Sequence, residues 1–360
     1  VTAAVLALNP GSSSLKATVR TDEVVVNAHV QRLGTDRAEL WFTDSAGTSE
    51  KAPPGRTLTD AVQAVAAELR RRGIDVAAVA HRVVHGGPTL LEPTVITDDV
   101  VATLESVTPM APLHTPGNLE SIAAARATWP QLSHVACFDT TFHNTMPDEG
   151  KRLPLPDDLV ALGIRRYGFH GLSVQNVVDR IPDLGNAVVA HLGSGCSVTA
   201  VSQGRSLHNT MSFSPTGGMI SATRSGDLDP EVALFLVEQH GWKVPDLRIL
   251  LDKRCGLAGV SGGTTDMRDL LAQRTENAAA DLAVRVFTRS AAQAIASAAA
   301  VLPGWDTLVF TGGIGEHSPQ VREAICDRLR HLGLPRLLVS TADEEAVMDD
   351  MARKVLAGQL

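Results

Sequence analysis

Val5-Leu6-Ala7-Leu8 is an unbroken apolar run that gives way to Asn9-Pro10-Gly11-Ser12-Ser13-Ser14, and Leu15-Lys16-Ala17-Thr18-Val19-Arg20 then mixes apolar and polar positions. An apolar run stopped by turn formers predicts a buried strand, and the segment after the turn predicts its partner, giving strands over 3–8 and 15–20 with no helix between. The shape returns at Ala187 to Leu192, the turn Gly193-Ser194-Gly195-Cys196-Ser197, and the strand Val198 to Val201. Both turns are too rich in Gly and Ser for ordinary hairpin tips, and their backbone N–H groups and hydroxyls suit a phosphate chain. Two such hairpins, one in each half, predict a duplicated fold gripping one nucleotide from both sides.

The first half continues with predicted strands over 24–33 and 39–43 and a Pro/Gly-rich stretch over 51–56. A helix follows, with Thr59 as its cap and Val62, Val65, Ala66 and Leu69 at helical spacing, closed by Arg70 to Gly73. A strand over 76–84, helices from Asp98 to Val107 and from Thr115, and a strand over 134–138 complete this half. In the second half, Asp229-Pro230 and Val244-Pro245 start helices, Pro costing nothing in the first turn. A long Ala-rich helix spans about 277–301, a strand over 307–310 enters the turn Thr311 to Glu316, and helices start at Pro319 and span 343–356. Strands first, then strand and helix in alternation, is an α/β signature.

At 360 residues, 44% of them apolar, the chain can fill two cores. A formal charge of −8 argues against nucleic-acid or membrane-surface partners, so an anionic ligand must be held locally. Cys137, Cys196, Cys255 and Cys326 are scattered without metal-ligand spacing, which fits a reduced, cytoplasmic protein. The apolar start has no basic leader or small-residue cleavage site, so a signal peptide is not expected. The Ala291 to Leu302 run is short of the ~20 residues of a membrane span.

There is no Gly-x4-Gly-Lys-Ser/Thr loop, no GxGxxG between strand and helix, and no HExxH. Polar clusters instead stand at strand ends: Asn9 to Lys16, His81 to Gly87, Phe138 to His143, Tyr167 to Gly171, His191 to Ser197, Thr223 to Asp227, Asp266 to Arg268 and Thr311 to His317. Open α/β sheets bind ligands where such ends converge. Arg82 closes an apolar strand between two histidines, so its charge must be paired or functional. Asp139 follows Val135-Ala136-Cys137-Phe138, where a turn or helix cap is the ordinary role of Asp.

Together AHRVVHGG, APLH, FDTTFH, RYGFHG, ATRSGDLDP and FTGGIGEH, in this order behind NPGSSSLK, resemble the acetate kinase family of the sugar kinase, heat-shock chaperone and actin superfold. The likeness reaches Asp343-Glu344-Glu345. It implies duplicated actin-like (ribonuclease H-like) domains with an interdomain cleft: 1–143 with 341–360 for the acyl substrate, and 144–340 for the nucleotide. It implies direct in-line transfer of the ATP γ-phosphoryl group to acetate with Mg²⁺, or alternatively Mn²⁺, and a homodimer.

By the same resemblance, Arg82 binds the substrate carboxylate, for which a planar guanidinium offers a bidentate fork. Asp139 orients that carboxylate or helps to hold the metal, and His170 and Arg224 stabilise charge on the transferring oxygens. His114 is a lesser candidate of the same kind. Val84, Leu113, Phe169 and Pro215 line a small apolar pocket, although each alone reads as plain core. Lys16, His191, Leu192, Gly193, Ser194, Gly195, Asp266, Met267, Arg268, Gly313, Ile314, Gly315, Glu316 and His317 address ATP, and Asn9 and Glu344 the metal. For Glu344 the competing role is stabilisation of a helix start, and for His170 that of a satisfied core histidine.

The chain departs from the family at Ser194 and His317, where Asn is usual, at Ser212, Thr216 and Gly217 around Phe213 and Pro215, and in the compact stretch between Thr43 and Thr59. These departures bear on nucleotide affinity and turnover more than on reaction class. The rivals are a propionate or butyrate kinase, an actin- or chaperone-like nucleotide-gated module, which would not need Arg82, and a hydrolase built on Ser194 or Cys196 with His191, for which no orienting Asp stands in the expected pattern.

Overall fold

The structure, a computed structural model, describes residues 4–11, 14–21, 25–44, 46–53 and 55–359. Ala3, Ser12, Ser13, Val24 and Pro54, which the sequence reading placed in strands, a turn and a loop, lie outside the described residues. The chain divides into two compact units, Val1–Thr141 with Asp343–Leu360, and Phe142–Ala342. Phe142 and His143, and residues 341–342, therefore go with the second unit rather than the first.

The first unit holds β1 (Ala4–Pro10), β2 (Leu15–Arg20), β3 (Val25–Gln31), β4 (Glu39–Asp44), β5 (Ser49–Ala52), β6 (Val76–Val83), β7 (Thr94–Val95) and β8 (Ser133–Phe138) in one sheet of order 5-4-3-2-1-6-8-7. The second holds β9 (Ala187–Leu192), β10 (Cys196–Ser202), β11 (Arg205–Asn209), β12 (Thr307–Thr311) and β13 (Arg336–Val339), in order 11-10-9-12-13. Strands 3-2-1-6-8 and 11-10-9-12-13 share order and direction. Antiparallel ladders join the first three of each set and parallel ladders the last three. The duplication expected from the two hairpins is thus present strand for strand.

Period-two alternation decides what each sheet face carries. In the first unit Leu6, Leu8 and Val79 share a core with Val62, Val65 and Leu69 of the helix Leu58–Arg71. The alternate positions, among them Ala7, Ala80 and Cys137, lie on the other face, where the Cys137 thiol donates to the Met348 carbonyl of the helix Glu344–Leu356. In the second unit Val189 and Val309 pack with Val174 and Val177 of the helix Gly171–Arg180, while Val188, Ala190 and Phe310 pack with Val284, Phe287 and Ile295 of the helix Ala278–Ala299.

Several local expectations change. Thr57, not Thr59, caps the first helix: its hydroxyl accepts from Asp60 N, and Asp60 Oδ2 accepts from Thr57 N at 2.9 Å, a reciprocal capping box. The stretch Gly312–His317 is a short helix, not a turn, and Cys196 and Ser197 belong to β10 rather than to the preceding turn. The helix Gly171–Arg180 and the strands β5, β7, β11 and β13 are additions to the sequence reading.

His143 is buried in the second unit, with Nδ1 2.9 Å from Ser206 Oγ and Nε2 2.9 Å from the Phe169 carbonyl. Burial lowers its pKa from 6.5 to about 4, against the Phe169 hydrogen bond and with a small push from His208. The folded state therefore binds this proton less readily than the unfolded chain. Its contribution to stability is complete above pH 6.5 and is lost as pH falls toward 4, roughly 3 kcal/mol in all. Denaturant titrations at pH 7 and 4.5 should show that loss, and His143→Gln should flatten it.

Candidate functional site

Asn9, Arg82 and Asp139 stand at the carboxyl ends of three adjacent parallel strands, β1, β6 and β8, where the register Leu8↔His81 and Val83↔Phe138 sets them on one face of the sheet. The Arg82 fork closes on Asp139, Nε to Oδ1 at 2.8 Å and Nη2 to Oδ2 at 2.6 Å. Its Nη1 donates to Asn9 Oδ1 at 3.0 Å and lies 3.4 Å from Glu344 Oε2. Asn9 Nδ2 donates to Glu344 Oε2 at 2.9 Å and to Glu345 Oε1 at 2.8 Å. Helix capping is handled by Asp343, which accepts from Ala346 N and pairs with Arg20. Glu344 and Glu345 therefore face the strand ends as a pair, and only Glu344 had been singled out from the sequence.

Burial shapes the electrostatics. The Asp139 side chain is 2% exposed and that of Arg82 17%. Burial is the largest influence on Arg82 and opposes its charge, but Asp139, Glu344, the Asp139 hydrogen bonds and Glu345 together outweigh it and hold the guanidinium above its ordinary value. Burial pushes the Asp139 carboxyl up, while Arg82 pulls it back toward ionisation. The fork expected to receive a ligand carboxylate is thus occupied by Asp139. Behind it, Asn118 Nδ2 donates to the Arg82 carbonyl and Asn118 Oδ1 accepts from Val84 N at 3.1 Å. That anchor was not legible in the sequence.

Among the described residues no group of three or more His, Cys, Asp or Glu is arranged as a ready metal cage. The donors around Asn9 are nevertheless all oxygen, and three carboxylates face one guanidinium. Hard oxygen donors with surplus negative charge fit a divalent cation that keeps most of its own waters.

In the second unit the turn after β9 is held by Gly193 N donating to Gly195 O at 3.1 Å and by Ala222 N donating to Ser194 O at 3.1 Å. A Cβ on Gly195 would lie 3.2 Å from Arg224 Nη1 and 3.3 Å from His170 Nε2, so both side chains converge on that glycine. His170 is left-handed, φ 60°, a conformation uncommon outside glycine and one that often marks a functional constraint. Gly193, Ser194, Asp266, Met267, Arg268, Gly313, Ile314 and His317 line one cavity of about 610 Å³, together with Ala222 and Thr223 of the ATRSGDLDP motif and with Thr265 and Ser318, which the sequence did not single out.

The remaining candidates divide differently. Leu192 is core, and Gly315 is buried in the short helix. Glu316 Oε1 accepts from Ala342 N at 3.0 Å. Asp266 caps the helix Met267–Gln273 and pairs with Arg268. Lys16 is exposed on β2 opposite Asn9. His114 directly precedes the helix Thr115–Thr128. Val84 and Leu113 belong to the first unit, Phe169 and Pro215 to the second, where Phe169 is only 1% exposed.

A family model described as the acetokinase family matches residues 4–355. The chain belongs to the acetokinase family. It is 38% identical to the acetate kinase of Deinococcus deserti, covering 98% of each chain, and 40% identical to that of Deinococcus radiodurans, covering 91% of this chain and 86% of the relative. Among solved structures it resembles Porphyromonas gingivalis acetate kinase, 31% identical with a TM-score of 0.85 over 98% of this chain and 100% of the other. It also resembles a propionate kinase from Francisella tularensis, 30% identical with a TM-score of 0.89 over 97% and 98%. Membership implies a phosphotransferase of the actin-like superfold with a carboxyl acceptor, ATP as a substrate and a divalent metal. No helix among the described residues is long and apolar enough to cross a membrane.

Removing Arg82 strands the Asp139 charge in the interior. Arg82→Ala should destabilise the protein by about 3–5 kcal/mol, read as a lowered denaturant midpoint, whereas Arg268→Ala, at an exposed pair, should leave the midpoint nearly unchanged.

Proposed function

We infer that the chain catalyses ATP + acetate ⇌ acetyl phosphate + ADP by direct in-line transfer. The observation that carries this reading is the cluster of Arg82, Asp139, Asn9 and Glu344 at the strand ends of the first unit, in a chain whose acetokinase membership is established. Of the five N–H donors of Arg82, three are engaged by Asp139 and Asn9. The remaining two serve the acceptor carboxylate, while Asp139 holds the guanidinium in place. A carboxylate is already ionised at neutral pH, so positioning rather than a strong general base is what the acceptor needs.

The second unit supplies the nucleotide side. The cavity beside Gly193, Asp266 and Gly313 accommodates ATP; His191, Leu192, Gly195, Gly315 and Glu316 stand on neighbouring elements of the same unit, while the remaining candidate, Lys16, is on β2 of the first. His170 and Arg224 stabilise charge on the transferring oxygens, a role supported by their convergence on Gly195. Asn9 and Glu344, with Glu345 beside them, are suited to hold Mg²⁺ or Mn²⁺, which when bound offsets charge on the phosphates.

Val84, Leu113, Phe169 and Pro215 bear on acyl length. The likeness to a propionate kinase structure favours tolerance of a second acyl chain, because one methylene changes binding by only ~1–3 kcal/mol. The four free cysteines are in keeping with a cytoplasmic setting. A homodimer is supported by the helix Pro230–His240, which buries no residue within the chain, and by the exposure of Leu228, Val232, Phe235, Val244 and Ile249. Its central run, Val232 to Val237, is apolar on every side, and such a surface calls for cover.

With ATP, Mg²⁺ and acetate, a hydroxylamine trap should detect acyl phosphate, and chelation of the metal should abolish it. Propionate should give a kcat/KM about 10–200-fold lower. Absence of product from the wild-type chain would contradict the kinase reading. In sedimentation, the wild type should run as a dimer and Phe235→Asp as a monomer.

A further inference from the structure

The second unit contains a crosswise pair of contacts between two histidines and two serines. The helix Gly171–Arg180 begins directly after His170 and carries Ser173, while the hairpin β9–β10 carries His191 and, directly opposite it in register, Ser197. His170 Nδ1 lies 3.0 Å from Ser197 Oγ, and His191 Nδ1 lies 2.8 Å from Ser173 Oγ. The rings stack at 4.2 Å between centroids. Both serines are fully buried, and both Nε2 atoms face glycine: that of His170 lies 3.3 Å from the Cβ position of Gly195, that of His191 3.1 Å from the Cβ position of Gly312.

We propose that Ser197 is a positioning residue for His170, its hydroxyl donating to Nδ1 so that the neutral ring carries its proton on Nε2, aimed at the Gly195 turn. The inference rests on the reading of His170 as a stabiliser of the transferring phosphoryl oxygens. An imidazole can present a donor on Nε2 while neutral only if Nδ1 is an acceptor, and the partner of one ring nitrogen fixes the state of the other. A serine hydroxyl can donate to a bare nitrogen, whereas a main-chain carbonyl in its place would enforce the opposite tautomer. Arg224 converges on the same glycine, so a donor on Nε2 and the guanidinium would address one spot together. The left-handed backbone of His170 and the stacking of His191 restrict the ring to the orientation that the serine completes. Ser173 stands in the same relation to His191.

The test combines kinetics with histidine ¹⁵N NMR. In the wild type, His170 should show the Nε2–H tautomer, and Ser197→Ala should convert it to a mixture. Ser197→Ala should lower kcat by ~10–100-fold and leave both KM values within about threefold, while Ser197→Thr, which restores the hydroxyl, should recover most of the loss. In a His170→Ala background, Ser197→Ala should cost nothing further. An Nδ1–H tautomer in the wild type, or an equal loss from Ser197→Ala with and without His170, would overturn the proposal. Absence of acyl phosphate from the wild type would instead overturn the kinase reading, and the NMR arm would still report on the serine.

Discussion

The buried pair Arg82–Asp139 is the constraint around which the first unit is built. A carboxylate 2% exposed is untenable without a partner, and the partner it has is a guanidinium closed on both its oxygens. Everything adjacent serves that pair. Asn118 ties the strand end behind Arg82, Asn9 accepts from its free arm, and Glu344 and Glu345 bring surplus negative charge to the same end of the sheet. A structural ion pair would need only one carboxylate. The excess, all of it oxygen, is of the kind that suits a divalent cation.

The duplicated sheets solve the strand-end problem in two ways. In the first unit, charges are placed on adjacent parallel strands and neutralise one another. In the second, the corresponding ends carry His191, Ser197 and the short helix after Thr311, and hydrogen bonds join the histidines to hydroxyls. Glycine-lined surroundings with Arg224 and Arg268 at hand suit a polyanion, because backbone and side-chain donors can approach it closely. One topology thus yields strand ends crowded with paired charges in one unit and glycine-lined, donor-rich ends in the other.

Much of this was legible in the chain. Apolar runs halted by polar residues marked β1, β6, β8, β9 and β12, and hence where chemistry would sit. What escaped had physical causes. The helix Gly171–Arg180 begins behind a left-handed His170 with no side-chain cap, so the usual start signal is missing. The helix Gly312–His317 is built on glycines, which disfavour helix on intrinsic grounds. The strands β5 and β13 are short edge strands, stabilised by pairing rather than by pattern. The Thr57–Asp60 capping box was present in the sequence, and Thr59 was the wrong choice beside it. Glu345 carries no signal in the sequence beyond its place beside Glu344, and the serines behind His170 and His191 meet their partners only after folding.

The proposed role of Arg82 as the acceptor's anchor is tested most directly by a conservative exchange. Lysine keeps the charge but lacks the planar set of donors that can hold Asp139 and a carboxylate at once. Measured with saturating co-substrate, Arg82→Lys should raise KM for acetate by at least about tenfold, the loss of roughly one charge-assisted hydrogen bond, and leave KM for ATP nearly unchanged. An unchanged KM for acetate, or an equal rise for both substrates, would contradict it.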